Sequence, residues 1–129
     1  MKKIVHFGAR NVGRGFLGQL YYESGFETVF IEVNQEIVDL LNKYHEYPLK
    51  IVTCDKTQEI IVKNVRAVNG LELDKVAQEI SYAYFLSTAV GVKVLPKIAK
   101  QAMLKEIRKE REPLKDKILV TRGITVTTF

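Results

Sequence analysis

Lys3-Ile-Val-His-Phe-Gly-Ala-Arg-Asn-Val-Gly-Arg-Gly-Phe-Leu-Gly18 is the stretch that decides the fold. Its first part is a short apolar run closed by Gly8, the pattern of a buried strand. From Asn11 to Ser24 the apolar residues Val12, Phe16 and Leu20 fall four apart and Gly25 follows as a stop, which predicts a helix. The junction therefore passes from a strand through a glycine turn into a helix. A dinucleotide fingerprint sits at such a junction and carries three glycines, at its first, third and sixth positions. The first permits the tight turn, the second lets backbone approach a pyrophosphate, and the third lets helix and strand pack closely. Unpaired N–H groups and a partial positive charge at the helix start favour the phosphates. Gly8 and Gly13 fill the first and third roles, while Arg10 stands at the second. Its Cβ lies where bare backbone is wanted, so weakened rather than abolished binding is expected.

Downstream, Thr28 to Glu32 is a second β-rich run. Asn34 can cap a helix in which Ile37, Leu40, Leu41 and Tyr44 repeat at helical spacing. Glu32 lies 24 positions after Gly8, near the interval of roughly 20 at which a carboxylate accepts hydrogen bonds from the adenosine ribose. A carboxylate there repels a 2′-phosphate, which favours NAD over NADP. The bland alternative makes Gly8 and Gly13 turn glycines and Glu32 a surface carboxylate.

The middle of the chain is less regular. Pro48–Thr53 and Glu59–Lys63 read as two strands joined by the polar turn Cys54–Gln58, and Leu73–Ile80 as a short helix. Val65–Leu71 is compatible with either state. Tyr82–Ser87 has the nearly continuous apolar pattern of a central strand covered on both faces. A long basic helix is expected over Lys93–Glu112, stopped by Pro113, and a further strand over Lys117–Thr121. Ile124–Phe129 is β-rich with no evident place. Strands alternating with helices predict an α/β domain with a doubly wound, mostly parallel sheet. We expect residues 1–129 to form a single domain.

Composition limits the function classes. The 129 residues are 47% hydrophobic and 27% charged with a single cysteine, Cys54, which fits one globular domain in a reducing compartment. No apolar run approaches the roughly 20 residues that span a bilayer. The basic start Met1-Lys2-Lys3 precedes too short an apolar run for a signal peptide, so a cytoplasmic location is expected. The net charge of +5 is local: residues 1–92 carry a net of −1, and Lys93–Lys117 a net of +5. That is the solvated face of an amphipathic helix. A nucleic-acid surface would interleave aromatic residues, and none accompany these charges.

The stretch from His6 to Gly18 closely resembles the opening of the mannitol-1-phosphate 5-dehydrogenase family, which typically reads His-Phe-Gly-Ala-Gly-Asn-Ile-Gly-Arg-Gly-Phe-Ile-Gly. Phe30-Ile-Glu-Val-Asn34 resembles that family's second-strand ending, and Ser87-Thr-Ala-Val-Gly91 its turn beyond the central strand. The match runs in register over about residues 1–110. The resemblance implies a Rossmann-type NAD(P)-binding domain, with NAD as cofactor, in an enzyme that interconverts mannitol 1-phosphate and fructose 6-phosphate. The implied cofactor residues are Phe7, Gly8, Ala9, Arg10, Asn11, Val12, Gly13 and Arg14 in the first turn. Glu32 and Asn34 follow the second strand, and Thr88, Ala89, Val90 and Gly91 follow the central one. Thr88–Gly91 read without the family is a strand-to-helix loop.

After Pro113 the resemblance lapses, because the strand ends Val120-Thr-Arg-Gly123 where the family has Glu-Asn. The family's catalytic lysine belongs to a helical C-terminal domain with no counterpart in these residues, so the chain alone is expected to be inactive. Apolar surface meant for such a domain would then be a site of association. His6 reads as a core histidine, His45 as a surface residue at a helix end, and Cys54 as an incidental turn residue. Neither a metal-ligand cluster nor a nucleophile elbow is visible. Two further readings stay open: a stand-alone NAD sensor that signals through the basic helix, and a degenerate remnant that binds nothing.

Overall fold

The computed structural model describes residues 1–9, 13–89, 118–122 and 125–128, the last two stretches by their backbone. The apolar run becomes strand β1 (Lys3–Phe7). Beyond the glycine turn the chain enters a π-helical turn, Gly13–Leu17, and continues directly into helix α1 (Gly18–Glu23). The helix expected from Asn11 thus starts, in the described residues, as a wider π turn. Residues 10–12, including the start of that helix, lie outside the description.

Strand β2 (Glu27–Glu32) and helix α2 (Gln35–Tyr44) follow. The Asn34 side chain accepts hydrogen bonds from the amides of Glu36 (3.0 Å) and Ile37 (3.4 Å), the capping its position predicts. The helix ends at His45, whose φ of 55° closes it in the left-handed region.

Strands β3 (Glu46–Val52) and β4 (Thr57–Lys63) pair antiparallel in a hairpin of their own, each longer than the sequence suggests. The ambiguous segment is a strand, β5 (Val65–Asn69), and helix α3 (Leu73–Ser81) comes next. The central strand β6 is Phe85–Thr88, three residues later at its start than expected. Tyr82 and Tyr84 are exposed, so the apolar run there overstated the strand. Strands β7 (Ile118–Arg122) and β8 (Thr125–Thr128) close the edge, which gives the β-rich tail a place. The basic helix expected over Lys93–Glu112 lies outside the described residues.

The six-stranded sheet has the order β5-β2-β1-β6-β7-β8, parallel throughout except for β8. This is the doubly wound topology, a Rossmann-type fold. The chain reverses its winding at β1, whose neighbours are β2 and β6, and ligands of such sheets sit outside the carboxyl ends at that point. Alternate residues of the central strands feed two cores. Val5, Phe7, Val29, Ile31 and Leu86 pack with Val76 and Ile80 of α3 on one face. Phe30 and Ala67 pack with Val38 and Leu41 of α2 and with Tyr47 and Val62 of the hairpin on the other. Ile4 lies under Leu17 and Tyr21. Burial on both faces is why β1 and β2 read as nearly continuous apolar runs.

At the amino ends of the strands, Arg66 grips Glu79 through two hydrogen bonds (2.7 and 2.8 Å) and Glu27 through a third (2.8 Å), with Lys3 on Glu79 at 2.6 Å. Burial alone would push the Glu79 carboxyl up, but the Arg66 and Lys3 contacts hold it below its ordinary value. A hollow lined by Lys2, Lys3, Tyr82 and Tyr84 lies at this end, opposite the glycine turn.

Candidate functional site

Phe7 ends β1 and its ring belongs to the core, 3% exposed. The backbone carbonyl of Phe7 accepts from Ala89 (2.9 Å), and Gly8 donates to the carbonyl of Ile31 (2.8 Å). These bonds hold the turn between the ends of β2 and β6. Gly8 has φ 103°, a conformation that side-chain-bearing residues rarely adopt, so the first fingerprint glycine is required by the backbone itself. Gly13 is required by space: a Cβ there would collide with the Gly8 carbonyl and come within 2.9 Å of His6 Nε2. Both glycines of the fingerprint therefore have the structural causes expected of them.

Glu32 closes β2 with its carboxylate turned back to the glycine turn. Its Oε1 accepts from the Ala9 amide (3.2 Å), and its Oε2 accepts from Val33 (2.7 Å) and Asn34 (2.9 Å). Glu32 is only 5% exposed, so it is not a surface carboxylate. The amide of Gly70 donates to the Glu32 carbonyl (3.1 Å), drawing the end of β5 to the same place. Sequence reasoning missed two residues here. Val33 and Leu71, 60% and 77% exposed, are apolar side chains beside Glu32 that leave their surface open. The signal was an apolar residue within two positions of each polar strand ending, Val33 after Glu32 and Leu71 after Asn69-Gly70.

The other implied residues fare differently. Ala9 is fully buried. The Arg14 carbonyl accepts from the Tyr47 hydroxyl (2.6 Å), and Arg14 Nε is buried with no hydrogen-bond partner among the described residues. The Asn34 side chain is engaged in capping α2, so its amide is what faces Glu32. Thr88 is the buried last residue of β6 rather than the first of a loop, because it pairs with Phe7 in the sheet. Ala89 follows it beside β1. Arg10, Asn11, Val12, Val90 and Gly91 lie outside the described residues.

Beneath the turn, His6 is fully buried. Its Nδ1 shares a 2.5 Å hydrogen bond with Ser87 Oγ, which also accepts from the Tyr21 hydroxyl (2.8 Å). Burial pushes the imidazole down to about 3, so it is neutral at physiological pH. Among the described residues no group of His, Cys, Asp and Glu is arranged to hold a metal ion, and no helix is long and apolar enough to cross a membrane.

A glycine turn at the carboxyl end of the first strand, tied to an acidic residue ending the second, is a nucleotide-cofactor geometry. Comparison with known proteins agrees with it. The sequence profile of the mannitol dehydrogenase Rossmann domain matches residues 2–120. A mannitol-1-phosphate 5-dehydrogenase of Geobacillus stearothermophilus is 43% identical over 114 residues, covering 85% of this chain and 30% of the relative. The enzyme of that name from Oceanobacillus iheyensis is 45% identical over 101 residues, 78% of this chain and 26% of the relative. The one from the fungus Ajellomyces capsulatus is 42% identical over 99 residues, 76% and 26% respectively. The chain thus spans under a third of the length of the curated relatives it matches. With profile, topology and glycine turn in agreement, the chain belongs to the mannitol dehydrogenase Rossmann-domain family.

Proposed function

We propose that residues 1–129 are the NAD-binding domain of a cytoplasmic mannitol-1-phosphate 5-dehydrogenase, which exchanges hydride between NAD and the mannitol 1-phosphate/fructose 6-phosphate pair. The observation that carries this reading is the Ala9–Glu32 hydrogen bond across the switch point, which sets an acidic side chain against the glycine turn. NAD, when bound, supplies the hydride acceptor. The chain's own residues do the holding. Gly8 shapes the turn for a pyrophosphate and Gly13 packs that turn against His6 of β1, while Phe7, Ala9, Arg10, Asn11, Val12 and Arg14 are the other turn residues we assign to the cofactor. Glu32, steadied by three amides, faces the ribose hydroxyls and disfavours a 2′-phosphate. Val33 and Leu71 offer apolar surface to the adenine. Thr88, which ends β6, and Ala89, Val90 and Gly91 after it are assigned to the cofactor by likeness to the family, and the Asn34 amide keeps Glu32 in place.

Isothermal titration of the chain with NAD and NADP tests the reading. NAD is expected to bind more tightly than NADP, and Glu32→Ala to narrow the difference. A wild-type preference for NADP, or binding of neither, overturns it.

A further inference from the structure

We propose that Tyr47, on the β3–β4 hairpin, is a positioning residue for the cofactor turn, fixing the backbone of Gly13–Gly18 and with it the affinity for the dinucleotide's pyrophosphate. The inference rests on the NAD-binding reading above and adds to it a residue far from the fingerprint in sequence. A simple crossover from β2 to β5 needs α2 alone, yet the chain inserts a hairpin that pairs with no strand of the main sheet. Besides packing on Phe30 and α2, the hairpin reaches the turn. Tyr47 is 8% exposed, and its ring meets Phe30 of β2 edge-on at 6.4 Å between centroids. Its hydroxyl donates to the Arg14 carbonyl at 2.6 Å, across 33 residues of sequence.

That carbonyl lies in the π-helical turn, a rare conformation that is frequent at functional sites. Gly18 is explained by the same hairpin. A Cβ on Gly18 would fall on the Tyr47 hydroxyl, whereas one on Gly15 would meet Leu49 only at an ordinary contact distance of 4.0 Å. Gly13 packs against β1 and Gly18 against the hairpin, so the turn is clasped from two sides. Burial holds the Tyr47 phenol well above its ordinary value, with the Arg14 charge acting in the opposite direction, and the hydroxyl stays a donor across the physiological range.

The test is Tyr47→Phe in the full chain, which removes one hydroxyl and keeps the ring against Phe30. Kd values for NAD and ADP are expected to rise about five- to tenfold, the loss of one well-formed hydrogen bond. The Kd for adenosine, which has no phosphate, stays unchanged. In the unliganded variant, amides of residues 13–18 are expected to exchange with deuterium faster, while those of β1 and β2 do not. Unchanged NAD affinity, an equal loss for all three ligands, or unchanged exchange at residues 13–18 overturns the proposal alone. Failure of the unaltered chain to bind NAD or ADP overturns the cofactor reading and this one with it.

Discussion

His6 shows how one residue can be structural and still govern behaviour in solution. Its place inside an apolar strand marks it as a core residue, and it is fully buried. Burial lowers its value in the folded chain to about 3, against 6.5 when exposed. As pH falls below 6.5 the unfolded chain takes up a proton that the folded chain refuses. Stability conferred by the neutral imidazole is therefore complete above pH 6.5 and is lost progressively towards pH 3, at about 1.4 kcal/mol per pH unit. Glu79 acts in the same direction, but only below its ordinary value of 4.5. Between pH 7 and 5 the histidine dominates of the two. The urea midpoint is expected to fall across that interval in the wild type and to stay nearly level in His6→Gln. An equal slope in both proteins would assign the effect to other groups. The burial of His6 was legible from its apolar neighbours. Its bond to Ser87, 81 residues away, and its approach to Gly13 were not, because they arise from the parallel pairing of β1 with β6.

Among the elements, those with local causes were the legible ones. Helix α2 carries its period and its Asn34 cap, and the hairpin carries its polar turn. Strand β5 was ambiguous because its pattern serves two partners. Val65, Ala67 and Val68 are buried in the cores, while Arg66 between them serves the ion pairs with Glu27 and Glu79. The π turn left no mark in the spacing of Phe16 and Leu20, and the hydroxyl that bonds its Arg14 carbonyl belongs to Tyr47, more than thirty residues later. Packing there is tight enough to predict from distances. In Gly18→Ala the new methyl group displaces the Tyr47 hydroxyl, an overpacking expected to cost about 1–3 kcal/mol. Tyr47→Phe removes the atom that it strikes. Contacts at 3.1 Å to the Gly13 carbonyl and 3.3 Å to Phe30 remain, so relief is partial. Chemical denaturation of the two single variants and the double variant should show that Gly18→Ala costs less than half as much when Tyr47 is already Phe. Strict additivity would mean that the two side chains do not meet.

The whole molecule divides its labour between the two ends of the sheet. The amino ends hold the Lys3, Arg66, Glu27 and Glu79 ion pairs, and the carboxyl ends bring together the glycine turn, Glu32 and the end of β6. A dehydrogenase needs, besides the hydride acceptor, a group that takes the hydroxyl proton, within hydrogen-bond reach of it and with a suitable affinity for protons. None of the groups weighed in the sequence meets both conditions. His6 is sealed under the turn, and burial, which pushes it down to about 3, keeps it neutral at physiological pH. The His45 ring contacts the carbonyl of Val65, the first residue of β5, and so lies at the amino end of the sheet. Cys54 is exposed at the hairpin tip. The carboxylate of Glu32 is engaged by three amides at the turn. The chain is therefore expected to bind NAD without turning it over. Purified protein mixed with NAD and mannitol 1-phosphate should form no NADH above the blank, while titration of the same sample shows cofactor binding. NADH formation that follows the chain at constant specific activity through successive columns would place a proton acceptor within these 129 residues.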